Sequence, residues 1–344
     1  MGKRKSETHF FRDNTYGLDK DKPIPMDTIL TVNATGHTIN SWGKNMFFLP
    51  HMITVDKKNN IWLTDVALHQ VFKFAPYGGD HTPLIALGER FVPGSDDKHY
   101  CKPTSVAVSD DTTSFYVSDG YCNSRVIKYG VTVNPSGTHE VKKLFEWGKG
   151  SGPFTVKQGP NSFNIPHGLA LAEDRGEVCV ADRENGRVQC FSLDGDFTRS
   201  IKPEEFGSRI FSVAYTQAKG EIIKMRYQDH YHSDLITGGQ LHAVSGPEFS
   251  INPFTKKPTG YIVNMESGEL AGTWNVPGGL QNPHDIAVSS DGNIVYVVEL
   301  NPFKVWKLTN GGSRQSSSTT TAQQTILTKF GPLGLLQDLL GVLG

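Results

Sequence analysis

The 344-residue sequence predicts an all-β fold, a β-propeller of five or six blades, on two observations. One motif recurs along the chain, and its copies fall at the period of a propeller blade. The fullest copy is 165–191, IPHGLALAEDRGEVCVADRENGRVQCF. LPHMITVDKKNNIWLTD (49–65), KPTSVAVSDDTTSFYVSD (102–119) and NPHDIAVSSDGNIVYVVE (282–299) share its grammar. Each reads proline, a polar residue, alternating apolar positions, a turn, then a second strand closing on an acid. The marker prolines Pro50, Pro103, Pro166 and Pro283 are 53, 63 and 117 residues apart. The last interval holds about two periods. A degenerate copy fits inside it: Ile210–Tyr215, a turn at Gly220, then Glu221-Ile222-Ile223. Repeats of about 40–50 residues with four short strands are the pattern of propeller blades. A β-sandwich would alternate too, but its strands would not repeat one motif in register. No helical stripe is sustained before residue 325.

In order along the chain, residues 1–25 read as a remnant of the N-terminal blade region and 26–308 as the propeller. The stretch 224–260, weakly patterned, reads as an insertion between blades. Residues 309–324, with the run GGSRQSSSTTTAQQ, read as a low-complexity linker. The tail 325–344 is apolar but broken by Gly and Pro, and too short to span a bilayer. It reads equally as an amphipathic interface segment or as a non-structural end. Met1-Gly2-Lys3-Arg4-Lys5 is followed by polar residues, not by the apolar run of a signal peptide. Thirty-four Lys and Arg against 35 Asp and Glu leave no basic stripe for nucleic acid. Asn33-Ala34-Thr35 is a weak glycosylation match.

Rotational symmetry brings equivalent positions of different blades to one end of the central channel. His51, His167 and His284 each follow the marker proline, with Thr104 there in the second repeat. The antiparallel return of each second strand brings Asp65, Asp119-Gly120-Tyr121, Asp182-Arg183 and Glu299 to the same opening. A single histidine is more often a satisfied core or surface residue. Three at one repeat position favour a metal. Alone, Tyr121 would read as channel packing and Arg183 as an inter-blade ion-pair partner. His230 and His232 read as a solvated loop, and Asp56, Asp110 and Asp291 as turn formers.

Of the four cysteines, Cys179 and Cys190 flank a turn symmetrically. Cys101 precedes the first strand of its repeat and Cys122 follows the second. Both pairings are local and plausible, which favours two disulfides and an oxidising compartment over four reduced core thiols. A disulfide pattern without a signal peptide leads us to expect a missing N-terminus, with the protein in the secretory pathway or secreted.

The runs TDVALHQVFKF (64–74), SDGYCNSRVIKY (118–129), 166–191 and PHDIAVSSDGN (283–293) resemble peptidyl-α-hydroxyglycine α-amidating lyase, in order over about residues 10–308. The resemblance implies an all-β, six-bladed NHL-type propeller, its first blade incomplete at the N-terminus. It also implies a lyase that converts peptidyl-α-hydroxyglycine to an α-amidated peptide and glyoxylate. By resemblance His51, His167 and His284 are zinc ligands, and three histidines leave the open position a catalytic zinc needs. Tyr121 matches the catalytic tyrosine, placed to take the hydroxyl proton. Arg183 matches the arginine that holds the carboxylate. Cys101–Cys122 and Cys179–Cys190 match the family's disulfides. Asp285 and the carbonyl of Ile53 match ligands of a structural calcium.

The chain departs from the family in places. The first strands and a second active-site arginine should lie upstream of Met1, and Arg12 replaces that arginine only across a gap. Asn282 stands where the family often has Met, and Val298-Glu299 replaces Gly-Asp. We therefore expect the seam between first and last blades to be open or loosely closed. The expected protein is a monomer acting on peptidyl-α-hydroxyglycine, with no nucleic-acid partner. Two other classes stay open: an inactive propeller acting as an interaction scaffold, and a calcium-dependent hydrolase. The hydrolase would want carboxylates or Asn at the axis instead of three histidines.

Overall fold

The computed structural model describes residues 10–150, 159–217, 222–227, 230–235, 239–248, 256–300, 303–309 and 321–325. Five four-stranded antiparallel sheets follow one another along the chain as blades of a propeller. Blade 1 is Pro50–Val55, Ile61–Asp65, Gln70–Phe74 and Ile85–Leu87. Blade 2 is Pro103–Val108, Ser114–Asp119, Arg125–Val133 and His139–Trp147. Blade 3 is Pro166–Ala172, Glu177–Asp182, Arg187–Ser192 and Phe197–Ile201. Blade 4 is Ile210–Thr216, Gln240–Ser245, Gly260–Asn264 and Leu270–Trp274. Blade 5 is Pro283–Val288, Ile294–Glu299, Lys304–Thr309 and Thr321–Thr325. Each marker-proline strand is innermost, and the inner strands of successive blades pack side by side. A separate two-stranded sheet, Ile29–Val32 with Thr38–Trp42, precedes blade 1. No α-helix occurs among the described residues.

The core lies in layers between neighbouring blades. Trp62, Val71 and Ile85 of blade 1 meet Val106, Phe115 and Val117 of blade 2, with Trp62 and Phe115 ring centroids 4.6 Å apart. Corresponding apolar layers separate blades 2 and 3, 3 and 4, and 4 and 5. Each fully buried large side chain contributes about 1.5–3 kcal/mol. These layers explain the period-2 patterning on both faces of the inner strands. Phe10 and Tyr16 pack onto the blade 1 cluster, Tyr16 against Phe48 and Phe91.

Two expectations are corrected in blade 4. Its second strand is Gln240–Ser245, not the stretch after Gly220. Ile222–Tyr227 and His230–Leu235 pair instead as a hairpin inserted between the first two strands of that blade. The segment 224–260 is therefore no simple insertion, and His230 and His232 lie in a strand rather than a loop. The short repeat period had drawn the nearest apolar run into the motif. At the other end, Thr321–Thr325 forms the outer strand of blade 5, so 321–324 belong to the sheet and not to a linker. The tail beyond 325 lies outside the described residues.

Both cystines are formed. Cys179 and Cys190 sit opposite each other in the second and third strands of blade 3. Cys101–Cys122 joins the two ends of the first hairpin of blade 2. Both suit an oxidising compartment.

Close approach of the inner strands dictates two glycines. A Cβ on Gly120 would lie 2.0 Å from the carbonyl oxygen of Pro166, and one on Gly168 would lie 2.7 Å from Cα of Ser212. Gly130, by contrast, has its nearest neighbour 3.6 Å from such a Cβ. We predict that Gly120→Ala and Gly168→Ala each lower unfolding free energy by about 1–3 kcal/mol. Gly130→Ala should be neutral or slightly stabilising. Denaturant titration of the three variants checks this.

Candidate functional site

The inner strands place His51, His167 and His284 at one end of the channel, with potential ligand nitrogens all within 4.8 Å of one another. A hydrogen bond to the next blade aims each of the first two rings. His51 Nδ1–H donates to the carbonyl of Thr104 (2.8 Å) and His167 Nδ1–H to that of Phe211 (2.7 Å). A carbonyl only accepts, so Nδ1 carries the proton in both rings and the Nε2 lone pairs face the channel. His284 breaks the pattern: its buried Nδ1 has no partner among the described residues. Its Nε2 lies 3.0 Å from Nε2 of His51.

Burial holds all three imidazoles neutral. It lowers His51 to about 4, and His167 and His284 fall well below the usual histidine value for the same first reason. Neighbouring imidazoles and the charge of Arg183 add to the shift of His167. Neutral, inward-facing nitrogens are what a metal requires of histidine. Two lone-pair nitrogens 3.0 Å apart repel unless a proton or a cation lies between them. The three residues thus fit a metal ion.

Tyr121 lies just past the second strand of blade 2. Its hydroxyl is 2.9 Å from His51 Nε2 and 3.2 Å from His167 Nε2. Its single proton serves only one of them. Burial raises its pKa, and the positive charge of Arg183 opposes the rise. The Arg183 side chain is wholly buried, its guanidinium 5.3 Å from the ring centre of Tyr121 and 4.8 Å from that of Phe211. Nε is taken by Glu184, while Nη1 and Nη2 have no hydrogen-bond partner among the described residues. An unpaired buried guanidinium edge is costly and is suited to a bidentate anion such as a carboxylate.

The structure gathers His51, His167, His284, Tyr121 and Arg183 into one cluster. The strand-end carboxylates expected around the opening are used up by structure. Asp65 accepts backbone N–H bonds from Phe48, Leu49, Ala67 and Leu68. Asp119 accepts from Cys101, Asn123 and Arg125, and Asp182 from Asn164, Asn185 and Arg187. Glu299 does the same for Gln281 and Asn282, so in blade 5 the longer acid does what aspartate does in blades 1 to 3. These acids hold the loops that lead into the marker prolines. Asp285 is apart from the cluster: it accepts from Ser212 Oγ (2.7 Å), and burial pushes its carboxyl up to about 6. Ile53 sits two residues past His51 on the inner strand of blade 1.

Sequence reasoning missed Arg209 and Phe211. Phe211 occupies the histidine position of the fourth repeat and packs on His167 and His284. Arg209, two residues earlier, bonds Glu184 and places a second positive charge near Tyr121 and His284. Aligning the degenerate repeat on Phe211 would have shown both.

Such a propeller converges three histidines that could hold a metal ion beside a tyrosine and an arginine. The NHL repeat model matches residues 163–191. The peptidyl-alpha-hydroxyglycine alpha-amidating lyase 1 of Drosophila melanogaster is 41% identical over 93% of this chain and 55% of its own length. A Caenorhabditis elegans protein, "Probable peptidyl-alpha-hydroxyglycine alpha-amidating lyase", is 32% identical over 82% of this chain and 69% of its own. A chain of a solved nidogen/laminin complex shares the fold at 13% identity and TM-score 0.52, covering 81% of this chain and 84% of that one. The chain belongs to the peptidyl-α-hydroxyglycine α-amidating lyase family, and it spans about half the length of the fly relative.

We predict that Asp65→Asn destabilises the protein by about 3 kcal/mol or more, because the amide turns a donor toward buried N–H groups. Asp110→Asn, at an exposed turn, should change stability by less than about 0.5 kcal/mol. Paired denaturation curves decide between a structural acid and a spare one.

Proposed function

We propose that the chain cleaves peptidyl-α-hydroxyglycine to an α-amidated peptide and glyoxylate. The observation that carries the reading is the meeting of three inward Nε2 atoms, the Tyr121 hydroxyl and the free edge of Arg183 in one buried site. The family membership supports it.

The donor set, three neutral imidazoles with no carboxylate, suits zinc with one position open. A zinc ion there would act as a Lewis acid on the substrate hydroxyl, lowering its pKa and favouring the Tyr121 phenolate. Arg183 takes the substrate carboxylate through Nη1 and Nη2 and fixes the α-carbon beside Tyr121. The Tyr121 oxygen accepts the hydroxyl proton as the C–O bond gains double-bond character. The N–Cα bond breaks, its electron pair goes to the amide nitrogen, and that nitrogen takes up the proton from Tyr121, which returns to the phenolate. Glyoxylate and the amide leave, so atoms and charge balance. Phe211 and the surrounding blades keep water away from this proton transfer. Asp285 and the Ile53 carbonyl would offer oxygen ligands to a structural calcium, which would stabilise a carboxylate that burial disfavours.

We also propose that the ring has six blades, with Ile29–Val32 and Thr38–Trp42 as the outer strands of the sixth. Lys307 of blade 5 donates to the carbonyl of Ala34 in the turn between them, and Trp42 packs on Phe74 of blade 1. This seats the pair between the first and last blades. Ile53 and Val55 on the inner strand of blade 1 are 48% and 59% exposed, while Val106 at the place of Ile53 in blade 2 is 3% exposed. An inner strand over this face would cover both and offer His284 Nδ1 a carbonyl. The work of such an enzyme lies in the secretory pathway, on peptides ending in α-hydroxyglycine.

Glyoxylate release from a synthetic peptidyl-α-hydroxyglycine, with metal analysis of the same sample, tests the reading. His167→Ala should lose both metal and cleavage; a variant that keeps both would overturn the assignment. Tyr121→Phe should retain the metal and lose about 10²–10⁴-fold in kcat. Full turnover in that variant removes Tyr121 from the chemistry.

A further inference from the structure

We propose that Glu184 is the positioning residue that aims Arg183 at the substrate carboxylate. The proposal rests on the reading of Arg183 given above. Glu184 Oε1 accepts from Arg183 Nε (2.7 Å) and also from Nε (2.9 Å) and Nη2 (2.5 Å) of Arg209. One oxygen therefore ties two guanidinium groups together. Arg209 is anchored from its other side, since Nη1 donates to the carbonyl of Pro247 (2.9 Å). Phe211 lies beside both groups, its ring centre 4.8 Å from the guanidinium carbon of Arg183 and 5.0 Å from that of Arg209.

The geometry gives Arg183 one orientation. Its Nε edge is held from the rim by Glu184, whose side chain is 21% exposed, while the Arg183 side chain is wholly buried. The remaining edge, Nη1 and Nη2, is the one left unbonded. The carboxylate also offsets one of two cations that share a ring and repel each other across it. Removing Glu184 would leave Arg183 Nε without its acceptor and free the Arg183 guanidinium to rotate about its last torsions. Glu184 touches no reacting atom in this arrangement. Its effect passes through Arg183, so it should appear in carboxylate binding before it appears in the chemical step.

Glyoxylate is the probe, because it presents the carboxylate without the scissile bond. Its dissociation constant is measured by calorimetric titration of the metal-loaded protein, alongside KM, kcat, metal content and melting temperature. For Glu184→Ala we expect glyoxylate affinity and KM each to worsen about tenfold, with kcat within about threefold and metal content unchanged. Glu184→Gln keeps an oxygen acceptor but no charge, and should lie between the parent and the alanine variant. Should the alanine variant not fold, the glutamine variant decides, with an expected loss of about threefold or more. Glyoxylate affinity and KM both within about twofold of the parent overturn the role of Glu184. Arg183→Ala separates this from the underlying reading. If it leaves glyoxylate affinity unchanged, the carboxylate assignment itself falls, whatever the Glu184 variants do.

Discussion

The hydrogen bond from an inner-strand side chain to the next blade is the interaction on which the site depends. His51 reaches Thr104, Thr104 Oγ1 reaches the carbonyl of Pro166, His167 reaches Phe211, and Ser212 reaches Asp285. Each bond does two things at once. It satisfies a polar group that would otherwise be buried unpaired, and it registers one blade against its neighbour near the axis. For the histidines it also settles which nitrogen carries the proton. Packing between the sheets supplies most of the stability, but it is non-directional and would tolerate small slides. These bonds do not. The geometry of the histidines is therefore a by-product of how neighbouring blades register against one another.

The same economy governs the acids. Asp65, Asp182 and Glu299 sit within a few residues of the candidate cluster, yet they face backbone amides rather than the channel. They fix the loops that deliver the marker prolines, and so set where each histidine begins. The cluster itself has Glu184 as its acid, and that carboxylate is paired to arginine. A site with neutral imidazoles and net positive arginine character suits an anionic substrate end.

Much of this was legible in the chain. The repeat of Pro-His before alternating strands predicted the propeller and the convergence of three histidines, because rotational symmetry turns sequence position directly into spatial position. Tyr121 and Arg183 followed from the antiparallel return of the second strand. Both cystine pairs followed from the hairpins they bracket. The failures also have physical causes. The second strand of blade 4 was misplaced because an inserted hairpin, Ile222–Leu235, alternates as well as a blade strand does. Arg209 was invisible because its repeat carries Phe211 in place of histidine. The structural use of the strand-end acids could not be read, since an acid that closes a strand looks the same whether it faces a loop or a channel.

His284 differs from the other two histidines in lacking an acceptor for Nδ1. No bond at Nδ1 therefore fixes its tautomer, and without an ion the Nε2–H form gains a bond to His51 Nε2, which is the opposite protonation to the one a ligand needs. Two of the three histidines are preorganised by the fold, and the third must be organised by what it binds. Supplying Nδ1 with a carbonyl would remove that cost, so closure of the ring beside blade 5 and retention of a cation would reinforce one another. The same linkage runs in reverse: an ion held on the three imidazoles would bind the first and last blades together, acting as a clasp for the fold.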